Sequence, residues 1–148
     1  MIPLISILVF MTLLVIAALH VAWAFGSVFP CRDRETLVRT VVGRSGGDGG
    51  SGMPPGFSTV IVAALIFLAA LWPLMMQGWL LTFVPVPVQG IGSIVLILVF
   101  LGRGIAGLTP WFRRLLPQEP FRTLNRNYYS PLCIALGLCY FVILIGRF

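Results

Sequence analysis

Four long apolar stretches decide what this chain can fold into. They cover residues 2–25, 57–76, 88–108 and 131–148, and each approaches the roughly 20 residues that a helix needs to cross a bilayer. Hydrocarbon offers no water to backbone N–H and C=O groups, so a stretch of this kind satisfies them internally as a helix. The first has no charge and only Ser6, Thr12 and His20 as polar interruptions. The last is the shortest and spans with little tilt. The expected architecture is an all-α integral membrane four-helix bundle, a single domain over residues 1–148.

The overall balance agrees. The chain is 59% apolar and 9% charged, with a mean hydropathy of +1.03. A soluble domain of this size needs a charged and polar shell. Cytosolic enzymes, nucleic-acid modules and secreted disulfide scaffolds are excluded. Ala22-Trp23-Ala24 imitates a signal-peptidase site, but no cation precedes the first stretch and its apolar core is too long for a signal peptide, so it reads as a retained span.

All ten cationic side chains are Arg. The connection between the first two spans carries Arg32, Arg34, Arg39 and Arg44, and that between the last two carries Arg113, Arg114, Arg122 and Arg126. The 77–87 connection has no charge, and Arg147 alone sits at the other end. Eight against one is a strong positive-inside bias. It predicts both Arg-rich loops in the cytoplasm and both termini outside.

In the first Arg-rich loop, residues 33–42 read as a short amphipathic helix lying on the membrane surface. Asp33 is its N-cap, Leu37, Val38, Val41 and Val42 share a face, Glu35 and Arg39 form an i,i+4 pair, and Gly43 stops it. Residues 45–52 are a Gly-rich flexible linker by composition; no Lys-Ser/Thr follows, so they are not a phosphate loop. The three cysteines, Cys31, Cys133 and Cys139, are expected as unpaired packing residues rather than metal ligands. Small residues at four-residue spacing (Ala18, Ala22 and Gly26; Gly102 and Ala106; Cys133 and Gly137) are candidates for close helix contacts.

Two ionisable residues interrupt the apolar stretches. His20 and Arg103 lie at similar depth below the Arg-rich end of the first and third spans. An Arg within a span costs at least about 2.5 kcal/mol unless it snorkels or finds partners. Arg103 either snorkels to the headgroups or joins a polar pocket with His20, Trp23 and the segment leading into the fourth span. That segment is dense in polar residues: Arg122, Asn125, Arg126, Tyr128, Tyr129 and Ser130. Ser130 reads as the N-cap of the fourth span, with Pro131 in its first turn. The exposed N–H groups of such a helix start, with Arg122 and Arg126 beside them, favour an anion, for which a phospholipid headgroup is the obvious candidate. Tyr128 and Tyr129 belong at the interface.

The stretch from Arg103 to Gly137, with Tyr129-Ser130-Pro131-Leu132-Cys133 and Leu136-Gly137, resembles the C-terminal signature of an uncharacterised family of small bacterial four-span membrane proteins, DUF3995. His20-Val21-Ala22-Trp23-Ala24 and Phe29-Pro30 extend the resemblance over nearly the whole chain. The chain departs from the pattern in its Gly-rich insertion and at Gly107-Leu108. The resemblance implies a four-span fold in a bacterial membrane and no particular activity.

Enzymatic chemistry has little to stand on. Every acid (Asp33, Glu35, Asp48, Glu119) lies in a loop, so the intramembrane acid of proton-coupled transport is missing, as are the groups of intramembrane proteolysis. One histidine cannot ligate haem on both faces. The expectation is a non-catalytic inner-membrane protein with no cofactor and no metal. It acts as an accessory subunit packed against partner helices and lipid, or else handles a small molecule or lipid through a His20/Arg103 pocket. Its expected partners are anionic headgroups of the cytoplasmic leaflet and, in the first reading, other membrane subunits; nucleic acid is not among them. An open cavity between the spans discriminates the two readings.

Overall fold

The computed structural model describes residues 1–43 and 56–147; the Gly-rich stretch 45–52 lies outside them. All regular elements among the described residues are helical. Four are long and apolar enough to cross a bilayer: α1 (Ile2–Ala24), α3 (Gly56–Met76), α4 (Val86–Leu108) and a continuous helical run over Phe121–Ile145, with mean hydropathies of 2.8, 2.4, 2.2 and 2.0. Short helices α2 (Arg34–Val41) and α5 (Pro110–Leu115) lie in the Arg-rich connections.

The bundle is assembled from two sequential antiparallel pairs. α1 packs along α3, and α4 packs along α7 (Ser130–Ile145). Contacts of α1 and α3 with α7, and of α3 with α4, join the pairs around Leu13, Ala70, Tyr140 and Ile143, each no more than 1% exposed. Tyr140 donates its hydroxyl to the Ala69 carbonyl at 2.6 Å and stacks on Phe100. A buried hydroxyl needs such a partner, and here it also ties α7 to α3.

Close approach depends on small residues, in a different register from the one expected. On α1 the buried stripe is Ser6, Val9, Leu13 and Ala17, while Ala18 and Gly26 are exposed. On α4, Gly102 has open space around it, whereas a Cβ on Gly104 would meet the Ser130 carbonyl at 2.9 Å and the Ile134 nitrogen at 3.0 Å. Gly137 receives Leu101 from the other side, so that part of the expected α7 spacing does make a contact. Glycine is required at Gly104 because the neighbour is backbone and cannot move aside.

The fourth span starts ten residues earlier than residue 131. α6 (Phe121–Leu124) passes through one π-helical turn (Asn125–Tyr129) directly into α7. The Ser130 N–H donates to the Asn125 carbonyl, five residues back, and Ser130 itself has helical dihedrals. Ser130 is therefore not an N-cap, and no free helix start exists there to hold an anion. Pro131 explains the turn: proline inside a helix lacks an N–H and crowds the carbonyl four residues back, and a π turn absorbs that misfit.

α2 is capped as expected: Asp33 accepts from the Thr36 N–H at 2.8 Å and from its hydroxyl at 2.8 Å, and Gly43 terminates the helix at φ +76°. Its apolar face, however, turns toward the protein. Leu37 and Val38 are 1% and 2% exposed, the Phe121 ring fills the space left by the absent side chain of Gly43, and Tyr129 donates to the Thr40 carbonyl at 3.4 Å. The Glu35–Arg39 pair does not form; Arg122–Glu119, at 3.6 Å, is the one ion pair among the described residues. Exposed i,i+4 pairs gain only about 0.3–0.5 kcal/mol, too little to fix two long side chains.

The hydrogen bonds from Thr36 hold the Asp33 carboxyl below its ordinary 3.8. A depressed folded-state value means that the cap stabilises α2 above the unfolded value and is lost as pH falls through the folded one. An NMR titration is expected to place the Asp33 inflection below 3.8, with α2 amide protection falling alongside it. An inflection at or above that value would show that the cap does not form in solution.

The opposite end carries a polar network that the sequence reading passed over. Arg147 donates to the side-chain oxygen of Gln89 and to the Met76 carbonyl at 2.8 Å, tying the end of α7 to α3 and α4. Gln89 and Ser93 are 3% and 1% exposed. Trp72 donates to the Gln89 carbonyl at 3.2 Å and the Ser93 hydroxyl at 3.1 Å, and Gln77 to Ser6 at 3.1 Å. Arg147, read from sequence as a lone charge, closes this end of the bundle.

Candidate functional site

A cavity of about 440 Å³ opens among the helices at the Arg-rich end. His20 and Trp23 of α1, Ser58, Thr59 and Val62 of α3, and Arg103 of α4 line it. Val41 and Val42 at the end of α2, Phe112 and Leu116 of the α5 region, and Phe121 of α6 close it. That volume falls within the range of small-ligand sites. His20, Trp23 and Arg103, separated widely in sequence, thus share one wall system. Ser58 and Thr59, which the sequence reading did not single out, join them; two hydroxyls at the start of a span were the available signal.

Arg103 does not snorkel. Its Nη2 donates to the Asn125 side-chain oxygen at 2.9 Å, and its Cζ lies 4.8 Å from the centre of the Phe112 ring. Asn125, 2% exposed, is the keystone. Its amide nitrogen donates to the Gly107 carbonyl at 2.7 Å, and its oxygen also accepts from Ser130 Oγ at 3.3 Å. This pattern fixes which end of the amide faces Arg103. Gly107 makes the convergence possible, since a Cβ there would strike Ser130 Oγ and lie 2.6 Å from Arg103 Nη1. The π turn brings Asn125 and Ser130 to one face, so Pro131 indirectly builds the Arg103 receptor.

No described residue compensates the charge of Arg103. Its partners are a neutral amide and an aromatic face, and its buried Nη1 has no hydrogen-bond partner among the described residues. No acid among the described residues lines the cavity. His20 Nδ1 lies 2.8 Å from the Ile16 carbonyl. A carbonyl only accepts, so Nδ1 carries a proton and Nε2 is the nitrogen left for another group. The Trp23 N–H is spent on the Phe29 carbonyl at 2.7 Å; the indole contributes its ring, 4.9 Å from that of His20.

The remaining expected site residues lie elsewhere. Arg122 and Arg126 line a separate recess with Arg113, Glu119, Thr123 and Asn127. Tyr128 is 65% exposed at the surface, and Tyr129 packs on Phe121 with ring centres 5.9 Å apart. Ser130 is fully buried and serves Asn125. The three cysteines are unpaired, and no group of His, Cys, Asp and Glu among the described residues could hold a metal.

Residues 13–140 match the family model described as "Protein of unknown function (DUF3995)". The chain belongs to this family. Neither curated proteins nor solved structures give a match. The matched region of this DUF3995 protein contains the cavity, the π turn, the second half of α1 and most or all of the other three spans, so family membership and site coincide along the chain. The family carries no assigned activity, so the chemistry of the site rests on the residues themselves.

Proposed function

We propose that this protein is a non-catalytic bacterial inner-membrane protein that holds an anionic amphiphile in the cavity between its spans. The observation that carries the reading is Arg103: a guanidinium lining an open cavity with no carboxylate beside it among the described residues. A buried cation without a counter-charge is costly, and an incoming carboxylate or phosphate relieves that cost while gaining charge-assisted hydrogen bonds. His20 Nε2 lends a further polar contact. Val41, Val42, Val62, Leu116 and Phe121 present apolar walls to the ligand's body, which suits an amphiphile better than a free ion.

Native mass spectrometry of protein extracted gently from its own membranes tests this. An anionic amphiphile retained by the wild type and lost in Arg103→Gln supports the reading; an empty wild-type protein contradicts it. Accessory-subunit action is the second reading, favoured by an apolar groove lined by Ala17, Ala18, Ala63 and Ala64 between α1 and α3, where a partner helix would approach closely. Retained partner chains in the same spectra would support that role.

The Arg asymmetry supports an orientation with the cavity at the cytoplasmic leaflet and both termini in the periplasm. A single cysteine at Thr82, in an otherwise Cys-free protein, is expected to react with a membrane-impermeant maleimide in spheroplasts, and one at Arg114 only after permeabilisation. Both sites are exposed. The reverse pattern overturns the orientation.

A further inference from the structure

Beside the cavity, and sharing none of its lining residues, the connection from α5 into α6 forms two adjoining recesses of about 150 and 210 Å³. Arg113 and Arg126 line both. In the polar recess Glu119 spends one oxygen on Arg122 at 3.6 Å and the other on the Thr123 N–H at 3.2 Å. No carboxylate among the described residues pairs with Arg113 or Arg126. With three guanidiniums and one carboxylate, the recess carries two surplus positive charges.

We propose that Arg113 and Arg126 bracket a phosphomonoester, a phosphate group carrying close to two negative charges above neutral pH. A phosphodiester brings one charge and leaves one guanidinium unmatched. Arginine's planar fork suits phosphate oxygens bidentately, and the Thr123 and Asn127 side chains supply further polar contacts at the rim. The surroundings point to a lipid as its carrier. Trp111 and Tyr128, 66% and 65% exposed, mark the headgroup level nearby. The second recess runs from the shared arginines to Gly107 and to Leu108, which is 42% exposed on the lipid-facing surface. A phosphate seated between the arginines thus has an apolar path for its tail.

The test uses the intact protein in neutral detergent at pH 8, with native mass spectrometry reading bound lipid. Dioleoyl phosphatidic acid is expected to bind about tenfold more tightly than dioleoyl phosphatidylglycerol, the gain of one added charge-assisted contact. Arg113→Gln and Arg126→Gln each abolish the preference. Arg114→Gln, which removes the same charge from the neighbouring exposed position, keeps it. The comparison is repeated in an Arg103→Gln background, so that amphiphile held in the cavity does not contribute to the preference. Displacement of the lipid by millimolar glycerol phosphate assigns the site to phosphomonoesters in either carrier; resistance to displacement assigns it to the lipid form. Equal binding of the two lipids by the wild type, or an equal loss in Arg114→Gln, overturns the proposal.

Discussion

Gly104→Leu is expected to destroy the folded bundle, whereas Gly102→Leu, one half-turn away on the same helix, leaves it intact. The contrast follows from what each Cβ would meet. At Gly104 the obstacles are the Ser130 carbonyl at 2.9 Å and the Ile134 nitrogen at 3.0 Å, with Ile134 Cγ1 at 2.6 Å. Two of the three are backbone in the first turns of α7. Overpacking a site that can relax costs about 1–3 kcal/mol; here relief requires separating α4 from α7 along their shared length, so the whole interface is at stake. At Gly102 there is nothing within 4 Å, and an added leucine meets lipid, an effect within about 0.5 kcal/mol. Detergent-induced unfolding followed by far-UV circular dichroism reads both variants. Similar behaviour of the two would refute the α4–α7 register.

Asn125→Leu is the second large effect. Leucine keeps the branched heavy-atom skeleton of asparagine but is bulkier, so at this buried position the loss of hydrogen bonds is joined by some overpacking. The substitution strips the acceptor from Arg103 Nη2 and Ser130 Oγ and the donor from the Gly107 carbonyl. Each buried polar group left without a partner costs about 1–3 kcal/mol, more where it is charged. A loss of several kcal/mol is expected, read as an unfolding midpoint at much lower denaturing-detergent fraction. Asn125→Asp offers a complementary result: it hands Arg103 an internal counter-ion, and retention of anionic amphiphile is expected to fall even where the fold persists.

The four spans were legible because length and hydropathy report directly on the demands of hydrocarbon, and three of the four boundaries agree within two residues at each end. The meeting of Arg103 with Asn125 was also within reach, from the cost of an unpaired guanidinium at depth. Ser130-Pro131 misled for a local reason: the pair is what a helix start looks like, and only the course of the preceding residues reveals a π turn that lets proline sit inside a longer helix. The amphipathic pattern of α2 could not tell lipid from protein, since Leu37 and Val38 satisfy either surface; the decision lay with Phe121, distant in sequence, whose ring packs against Gly43. The small-residue register failed because α4 offers Gly102, Gly104, Ala106 and Gly107 within six positions, and spacing alone does not choose the face. Gln89 and Ser93, an i,i+4 polar pair inside an apolar stretch, were the missed signal for the network that Arg147 completes.

The central claim is that the cavity selects an anionic amphiphile through Arg103, and Trp23, in its wall, reports on occupancy. With the other three tryptophans (Trp72, Trp79 and Trp111) replaced by phenylalanine, brominated stearate titrated into protein in neutral detergent is expected to quench Trp23 fluorescence saturably. The corresponding brominated alcohol, lacking the charge, gives weak quenching that does not saturate. Arg103→Gln reduces the stearate response to that of the alcohol. Equal quenching by acid and alcohol in the wild type, or an undiminished response in Arg103→Gln, would contradict the account.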